Sequence, residues 1–440
     1  MKNKLLSGFF FSLFFALVFY QADAQLTITG EIRPRFEFRN GYKRLPDSST
    51  TPAYLTTQRT RLGFGYKIEK INAKIAFQDI RTWGDEKLKE DVPSVSIYEA
   101  WAEVTVCDSL WVKTGRQELV YDNERILSNN NWQQRAVTHD ALLLKYRNKG
   151  WKIDLACAFN QSGDSLFWTN YPDVQGKNDV ENTIKNNYKL LSFLFINKKF
   201  NDFNLSMVAL TDGFQKRNDK DIMYNRNTAG ATLKYNISGI GLTLRGYYQG
   251  GKDTAGTEIS AYYLNPEIFW GYKKAMFNIG MEYVSGNDTI DKSQDQVKYF
   301  SLLYGTGHQF MGHMDYFTDI PKDTKKAGLI DYYLKTNYRL NEKTTLKADY
   351  HYFMLTTDIT KTGEKTDKVL GHEIDINCKY DITKDASVLF GYSLLLGTKS
   401  NVLVRKGAIK ELPNNGGDED MPGHWAFAML TIKPVLFSGK

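Results

Sequence analysis

From Leu26 to Arg39 the chain alternates apolar and polar side chains without a break. Leu26, Ile28, Gly30, Ile32, Pro34, Phe36 and Phe38 form one series, and Thr27, Thr29, Glu31, Arg33, Arg35, Glu37 and Arg39 form the other. A period of two puts successive side chains on opposite faces of an extended strand, so one face is greasy and the other charged. The pattern recurs down the chain. Leu62, Phe64, Tyr66 and Ile68 oppose Arg61 and Lys67, and Ile374, Ile376, Cys378 and Tyr380 oppose Glu373, Asp375, Asn377, Lys379 and Asp381. No segment after the first twenty-four residues sustains a comparable helical period.

The alternation suits two all-β architectures, and strand length separates them. Strands of soluble sandwiches and propellers average five or six residues, whereas many here exceed ten. At about 3.3 Å per residue and a tilt near 45°, ten residues climb roughly 23 Å, close to the apolar band of an outer membrane. Composition agrees. With 14% aromatic residues, 34 glycines and 10 prolines, and a mean hydropathy of −0.45, the chain is too polar for membrane helices. It is rich in the Tyr and Phe that girdle barrels.

The N-terminus supplies the export route. Lys2 and Lys4, an apolar run from Leu5 to Tyr20 and the triplet Ala22-Asp23-Ala24 describe a signal peptide over residues 1–24, with the barrel occupying 25–440. Its removal takes away two cations and one anion, so the formal charge of +7 falls to +6. That is a mild bias, and nothing in the sequence implies nucleic acid. Cys107, Cys157 and Cys378 are too few and too scattered for a disulfide framework.

Connections alternate in length. Short joints at "EKIN", "CDS", "RNKG", "NKKFND", "NISGIG", "GYKK", "LNEK" and "DITKD" separate long stretches at 40–56, 84–94, 118–137, 161–186, 212–226, 286–296, 357–368 and 398–423. Short turns on one rim and long loops on the other are the organisation of a bacterial outer-membrane barrel, with the turns periplasmic. Twenty strand candidates run from 26–39 to 424–436, of which 110–118, 297–304 and 308–317 carry the poorest alternation. The expectation is an antiparallel transmembrane β-barrel with an even number of strands between sixteen and twenty.

Register follows from energetics. Arginine or lysine at the lipid midplane costs roughly 2–4 kcal/mol, so Glu31, Arg33, Arg35, Glu37 and Arg39 must point into the lumen. Arg59 and Arg61 fall on the inward series of their strand. A barrel this wide leaves an aqueous channel, and a line of arginines offers weak, planar, permanently charged anion sites. The competing reading is structural: the same arginines pair with Glu31, Glu37, Asp79, Glu99 and Glu103 and brace the wall. Glu373, Asp375 and Asp381 would form an acidic wall facing or flanking the basic one.

"QRTRLGFGYKI", "AFQDIRTWGDE", "YEAWAEV", "VKTGRQELVYDNERIL", "NWQQRAVTHDALLLKY", "HQFMGHMDYF" and "GLIDYYLKTNYRLNEKTTLKADYHYF" together resemble the alginate export family of outer-membrane barrels. The resemblance implies eighteen strands and an arginine-rich lumen that passes an anionic uronate polysaccharide. Carried over by motif, it adds Asp79, Arg81, Gly115, Arg116, Gln117, Arg125 and Arg135 to the pore or loop-constriction candidates. The expected partners are outer-membrane lipid and an anionic solute or polysaccharide.

Enzymatic readings find little support. His139 and Asp140 are adjacent, hence on opposite faces of a strand, and His308 and His313 read the same way if 308–317 is a strand. Asp288, Asp291 and Asp295 of 287–296 read as a solvated loop before a calcium site. No cofactor motif is present. A plugged structural barrel remains, if the 161–186 or 398–423 loop fills the lumen.

Overall fold

The computed structural model describes residues 24–90, 92–161, 188–216, 219–288, 295–361, 364–406 and 415–439. The expected signal peptide, residues 1–23 of it, and the 162–187 part of one expected loop lie outside them.

Eighteen antiparallel strands close on themselves. They are β1 (Gln25–Asn40), β2 (Ala53–Ile68), β3 (Ile71–Thr82), β4 (Ser96–Cys107), β5 (Leu110–Gln117), β6 (His139–Asn148), β7 (Trp151–Phe159), β8 (Leu190–Phe200) and β9 (Phe203–Lys216). The second half holds β10 (Asp219–Ile237), β11 (Ile240–Gly251), β12 (Ala261–Tyr272), β13 (Ala275–Val284), β14 (Leu329–Arg339), β15 (Thr344–Met354), β16 (Val369–Thr383) and β17 (Ala386–Gly397). The last, β18, comes in two pieces, Gly423–Ile432 and Val435–Gly439, both paired with β1. Pro434 lacks an N–H for the ladder, so the strand breaks there. The seam holds because the Gly30 N–H reaches the Pro434 carbonyl at 3.0 Å.

All eight short joints are the tight turns at one rim. Lys149 and Gly150 turn with φ of 45° and 79°, and Ser238 and Gly239 with 50° and 83°. Two consecutive positive φ angles match the hairpin turn whose twist suits the flanking strands.

Three expectations are corrected. Segment 110–118 is a strand, but 297–304 and 308–317 are not; both lie in the β13–β14 connection, which folds into the barrel. Phe300, Leu302, Leu303, Tyr304, Met311, Met314, Tyr316 and Phe317 are buried there regardless of parity, so no face is left for lipid. The expected loop at 212–226 is instead the prolonged β9–β10 hairpin, held inside by the buried Asp212–Arg226 ion pair.

Register obeys the lipid argument where it was made: Ile32 and Phe36 are exposed outward, and Glu31, Arg33, Arg35 and Glu37 are buried inward. The inner face of β6–β9 departs from it. Leu143, Leu191, Phe193, Phe195, Val208 and Leu210 point inward too, packing with Leu119 and Leu127 from a luminal loop. The lumen beside β6–β9 is therefore a packed core.

Candidate functional site

The β5–β6 connection, residues 118–138, crosses the lumen, and both of its anchorages depend on arginine. A loop inside a barrel must find donors for its carbonyls, and a guanidinium supplies five N–H groups in a fixed fork. On the β1–β2 wall, Arg33 Nη1 donates to the Asn131 carbonyl at 2.8 Å and Nη2 to Gln134 Oε1 at 2.9 Å. Arg35 Nη1 donates to the Trp132 carbonyl at 3.0 Å and stacks over the Trp132 ring at 4.3 Å. Arg59 Nη2 reaches Asn131 Oδ1 at 2.9 Å while its Nε holds Glu31 Oε1 at 3.0 Å. Only 4%, 7% and 1% of Arg33, Arg35 and Arg59 is exposed. These three arginines are clamps.

The far anchorage lies on β12 and β13. Arg125 donates to Tyr263 Oη at 2.6 Å, pairs with Glu282 and lies 3.3 Å from the Phe310 ring centre. Ahead of both anchorages, Tyr121 packs on Phe193 and Phe195 and donates to Asp154 at 2.9 Å.

The β13–β14 connection docks beside it. The Met314 N–H donates to Glu373 Oε1 at 2.8 Å and the His313 N–H to Asp375 Oδ2 at 3.2 Å. The acidic wall thus holds backbone. His308 stacks on Trp132 at 4.1 Å and on His313 at 5.1 Å, and its Nδ1 meets Asp315 Oδ1 at 2.6 Å. The opposite-face reading of the two histidines fails because this segment is loop, although among the described residues no group of three or more ligands gathers for a metal. Burial opposes the charge on Asp315, yet His308 and the Tyr42 hydroxyl hold its carboxyl at about 2. Burial pushes the His313 imidazole down to about 4, against the pull of Asp375.

The remaining candidates divide by parity. Arg39 lies on Glu37 at 2.9 Å and over Tyr42. Arg61 lies 3.5 Å from the Tyr98 ring centre with its Nε on Gln78, and its Nη2 has no partner among the described residues. Glu99 takes Lys74, and Glu103 takes Lys145 at 2.5 Å. Gln117 is buried against the Ala141 carbonyl, and Arg135 is an exposed side chain of the luminal loop. Asp79, Arg81 and Arg116 are corrected: they face outward. Strand β3 turns its even residues Lys74 and Gln78 inward, which sends Asp79 and Arg81 out, and β5 turns Lys113 and Gln117 inward, which sends Arg116 out to Asp140.

Sequence reading missed Trp132, Gln134, Tyr263 and Glu282, because no period marks where a loop lands on the wall. Of the 398–423 loop, weighed as one possible plug, residues 398–406 and 415–423 are described. Its helix α1 (Lys399–Arg405) tethers the β13–β14 connection through Arg405, which donates to the Tyr316 carbonyl at 2.7 Å and pairs with Asp323.

A polar cleft of about 280 Å³ stays open beside the strut, lined by Glu99, Lys113, Glu118, Lys145, Arg147 and Asp154. Away from the turns, the inner face of β1–β7 carries Arg33, Arg35, Arg39, Arg59, Arg61, Lys74, Lys113, Lys145 and Arg147 against Glu31, Glu37, Glu99, Glu103 and Asp154. The facing β12–β16 wall carries Glu267, Glu282, Asp331, Asp349, Glu373 and Asp375 against Lys335 and Lys347.

The model of the alginate export family matches residues 24–397. The chain belongs to the alginate export family. Like its fold, its place is the bacterial outer membrane, as a channel of the porin type. Solved structures similar to this family member include OpdQ of Pseudomonas aeruginosa, at 13% identity and a TM-score of 0.60 over 94% of this chain and 99% of that one. OccAB1 of Acinetobacter baumannii gives 14% and 0.60 over 95% and 99%. The outer membrane protein OpdK of Pseudomonas aeruginosa gives 10% and 0.58 over 94% and 99%. At such identities the likeness concerns the barrel alone. Among proteins of curated function none matches this member of the family.

Proposed function

We propose that this barrel lets small anionic solutes, with carboxylated sugars of the uronate class foremost, diffuse across the outer membrane past the strut formed by residues 118–138. The observation that carries the reading is the segregation of luminal charge. On β1–β7, nine cations stand against five anions between the turns, while on β12–β16 six anions stand against the two cations Lys335 and Lys347. In a low-dielectric tube such a division produces a transverse field that orients a solute with a carboxylate at one end.

Arg33, Arg35 and Arg59 contribute charge but few free donors, since their N–H groups hold the loop. Contact with a passing carboxylate falls to more accessible groups: Arg39, Lys113, Lys145, Arg147 and Arg135. Two inward-folded loops leave little room for a polymer, which favours single sugar acids over an alginate chain. Trp101 beside Lys113 supplies a ring face for sugars.

Reversal potentials in a KCl gradient across planar bilayers, with and without oligouronates of increasing length, test the proposal. The expected result is modest anion preference and block by short uronates only. Cation selectivity sinks the proposal. A nonselective pore blocked equally by neutral sugars supports a general sugar porin instead.

A further inference from the structure

The outer wall of this barrel is uneven. Among the described residues, the outward series of β12–β17 contains no Asp, Glu, Lys or Arg and is studded with exposed Tyr332, Tyr350, Phe390 and Tyr392. On the other side, Arg116 of β5 and Asp140 of β6 face outward as a cross-strand pair, 44% and 54% exposed.

Their height makes this costly in lipid. Arg116 stands six residues above the start of β5, and Asp140 eight residues from the far end of β6. At about 3.3 Å per residue and a tilt near 45°, that is roughly 14–19 Å above the periplasmic turns, inside an apolar band about 25 Å tall. The wall is also low there: the eight residues of β5 rise only roughly 19 Å. A wall shorter than the surrounding hydrocarbon favours oligomerisation. Beside it, Leu155, Leu194, Ala209, Ala229 and Tyr248 line a groove whose small residues permit close approach.

We infer that the outer wall of β3–β10, centred on Arg116 and Asp140, docks against the same wall of a second copy of this chain. Charge selects that occupant. Each outward arginine already sits beside a carboxylate, Arg81 with Asp79 and Arg116 with Asp140, and the outward Lys198 lies down at the periplasmic turn on the Lys149 carbonyl, so the patch around the pair is neutral and offers a lipid phosphate no surplus cation. An adjacent Arg and Asp are self-complementary: a twofold axis sets Arg116 of each copy against Asp140 of the other. Oligomeric contact takes this pair out of reach of acyl chains.

Cysteine cross-linking of the full chain in lipid vesicles tests the assignment. In a background with Cys107, Cys157 and Cys378 changed to Ser, Thr114→Cys, outward and next to the pair on β5, is expected to give a disulfide-linked dimer, while Phe390→Cys on β17 gives none. Arg116→Asp is expected to weaken the dimer about tenfold or more, with Arg116→Asp/Asp140→Arg restoring it. Heat-modifiable migration verifies that each variant folds. Cross-linking at neither or at both positions overturns the inference, as does a dimer indifferent to Arg116→Asp, or a monomer with lipopolysaccharide on the patch.

Discussion

Arg125 and Glu282, 157 positions apart, form a buried ion pair that carries the end of the β5–β6 loop across the lumen to the wall opposite Arg33. The pair is completed by Tyr263 and Asn265, so every partner is fixed before the loop arrives. Removing one member of such a pair leaves an uncompensated charge and costs about 3–5 kcal/mol. Arg125→Leu is therefore expected to free the strut while the barrel still folds. Single-channel recordings should give a higher, noisier conductance, and proteases should gain access to residues 118–138. Unchanged conductance would mean that the strut does not set the bore.

The opposite anchorage makes a different demand. Changing Arg33, Arg35 and Arg59 together to Gln removes three charges and most of the donors holding Asn131 to Gln134. We expect conductance to rise and anion preference to fall in the same recordings, with heat-modifiable migration kept. Arg39→Gln, which touches no loop carbonyl, should lower anion preference at constant conductance. The contrast separates charge from bracing, which a selectivity measurement on the triple variant alone cannot do.

How much of this was legible beforehand depends on where periodicity reaches. Lipid contact enforces alternation, so β1 could be placed with its register, and all eight turns were found. Where a strand faces both lipid and a packed luminal loop, as at Leu142 and Leu143, both faces are apolar and the inner surface cannot be read. Asp79, Arg81 and Arg116 were misplaced because polar residues near the upper ends of β3 and β5 fall on both parities. The clamping role of Arg33 depends on a segment about 100 residues away, beyond any local pattern.

Acid should loosen the other luminal loop. The His313 ring, packed on His308 and near Asp375, Asp349 and Lys335, has its pKa lowered by burial from 6.5 to about 4. The undocked loop therefore takes up the proton first. Docking is fully stabilised above pH 6.5 and loses stability as pH falls toward 4, by about 3 kcal/mol at most. Asp315, held at about 2, keeps its contribution over that window and loses it only below pH 4. Conductance fluctuations should increase between pH 7.5 and 4.5, and His313→Gln should flatten the response. A variant with the parent's pH profile would assign the effect elsewhere.

Gly115 bears on whether the wall can close at all. Its φ is +115°, and a Cβ there would lie 2.2 Å from the Ala100 carbonyl oxygen of the neighbouring strand. The backbone conformation alone costs a side chain roughly 1–3 kcal/mol. The clash adds to this by prising β5 from β4 at the lowest part of the wall, where a strand of eight residues has few ladder bonds to spare. Residues 116 and 117 also set where the strut departs, so Gly115→Ala should impair folding and loop docking together. The expected outcome is a chain that stays at its unfolded mobility on unheated gels and digests fully with trypsin, with Gly65→Ala as a tolerated control whose Cβ meets nothing closer than 3.8 Å. Normal migration of Gly115→Ala would show that the β4–β5 ladder can shift to accept a side chain.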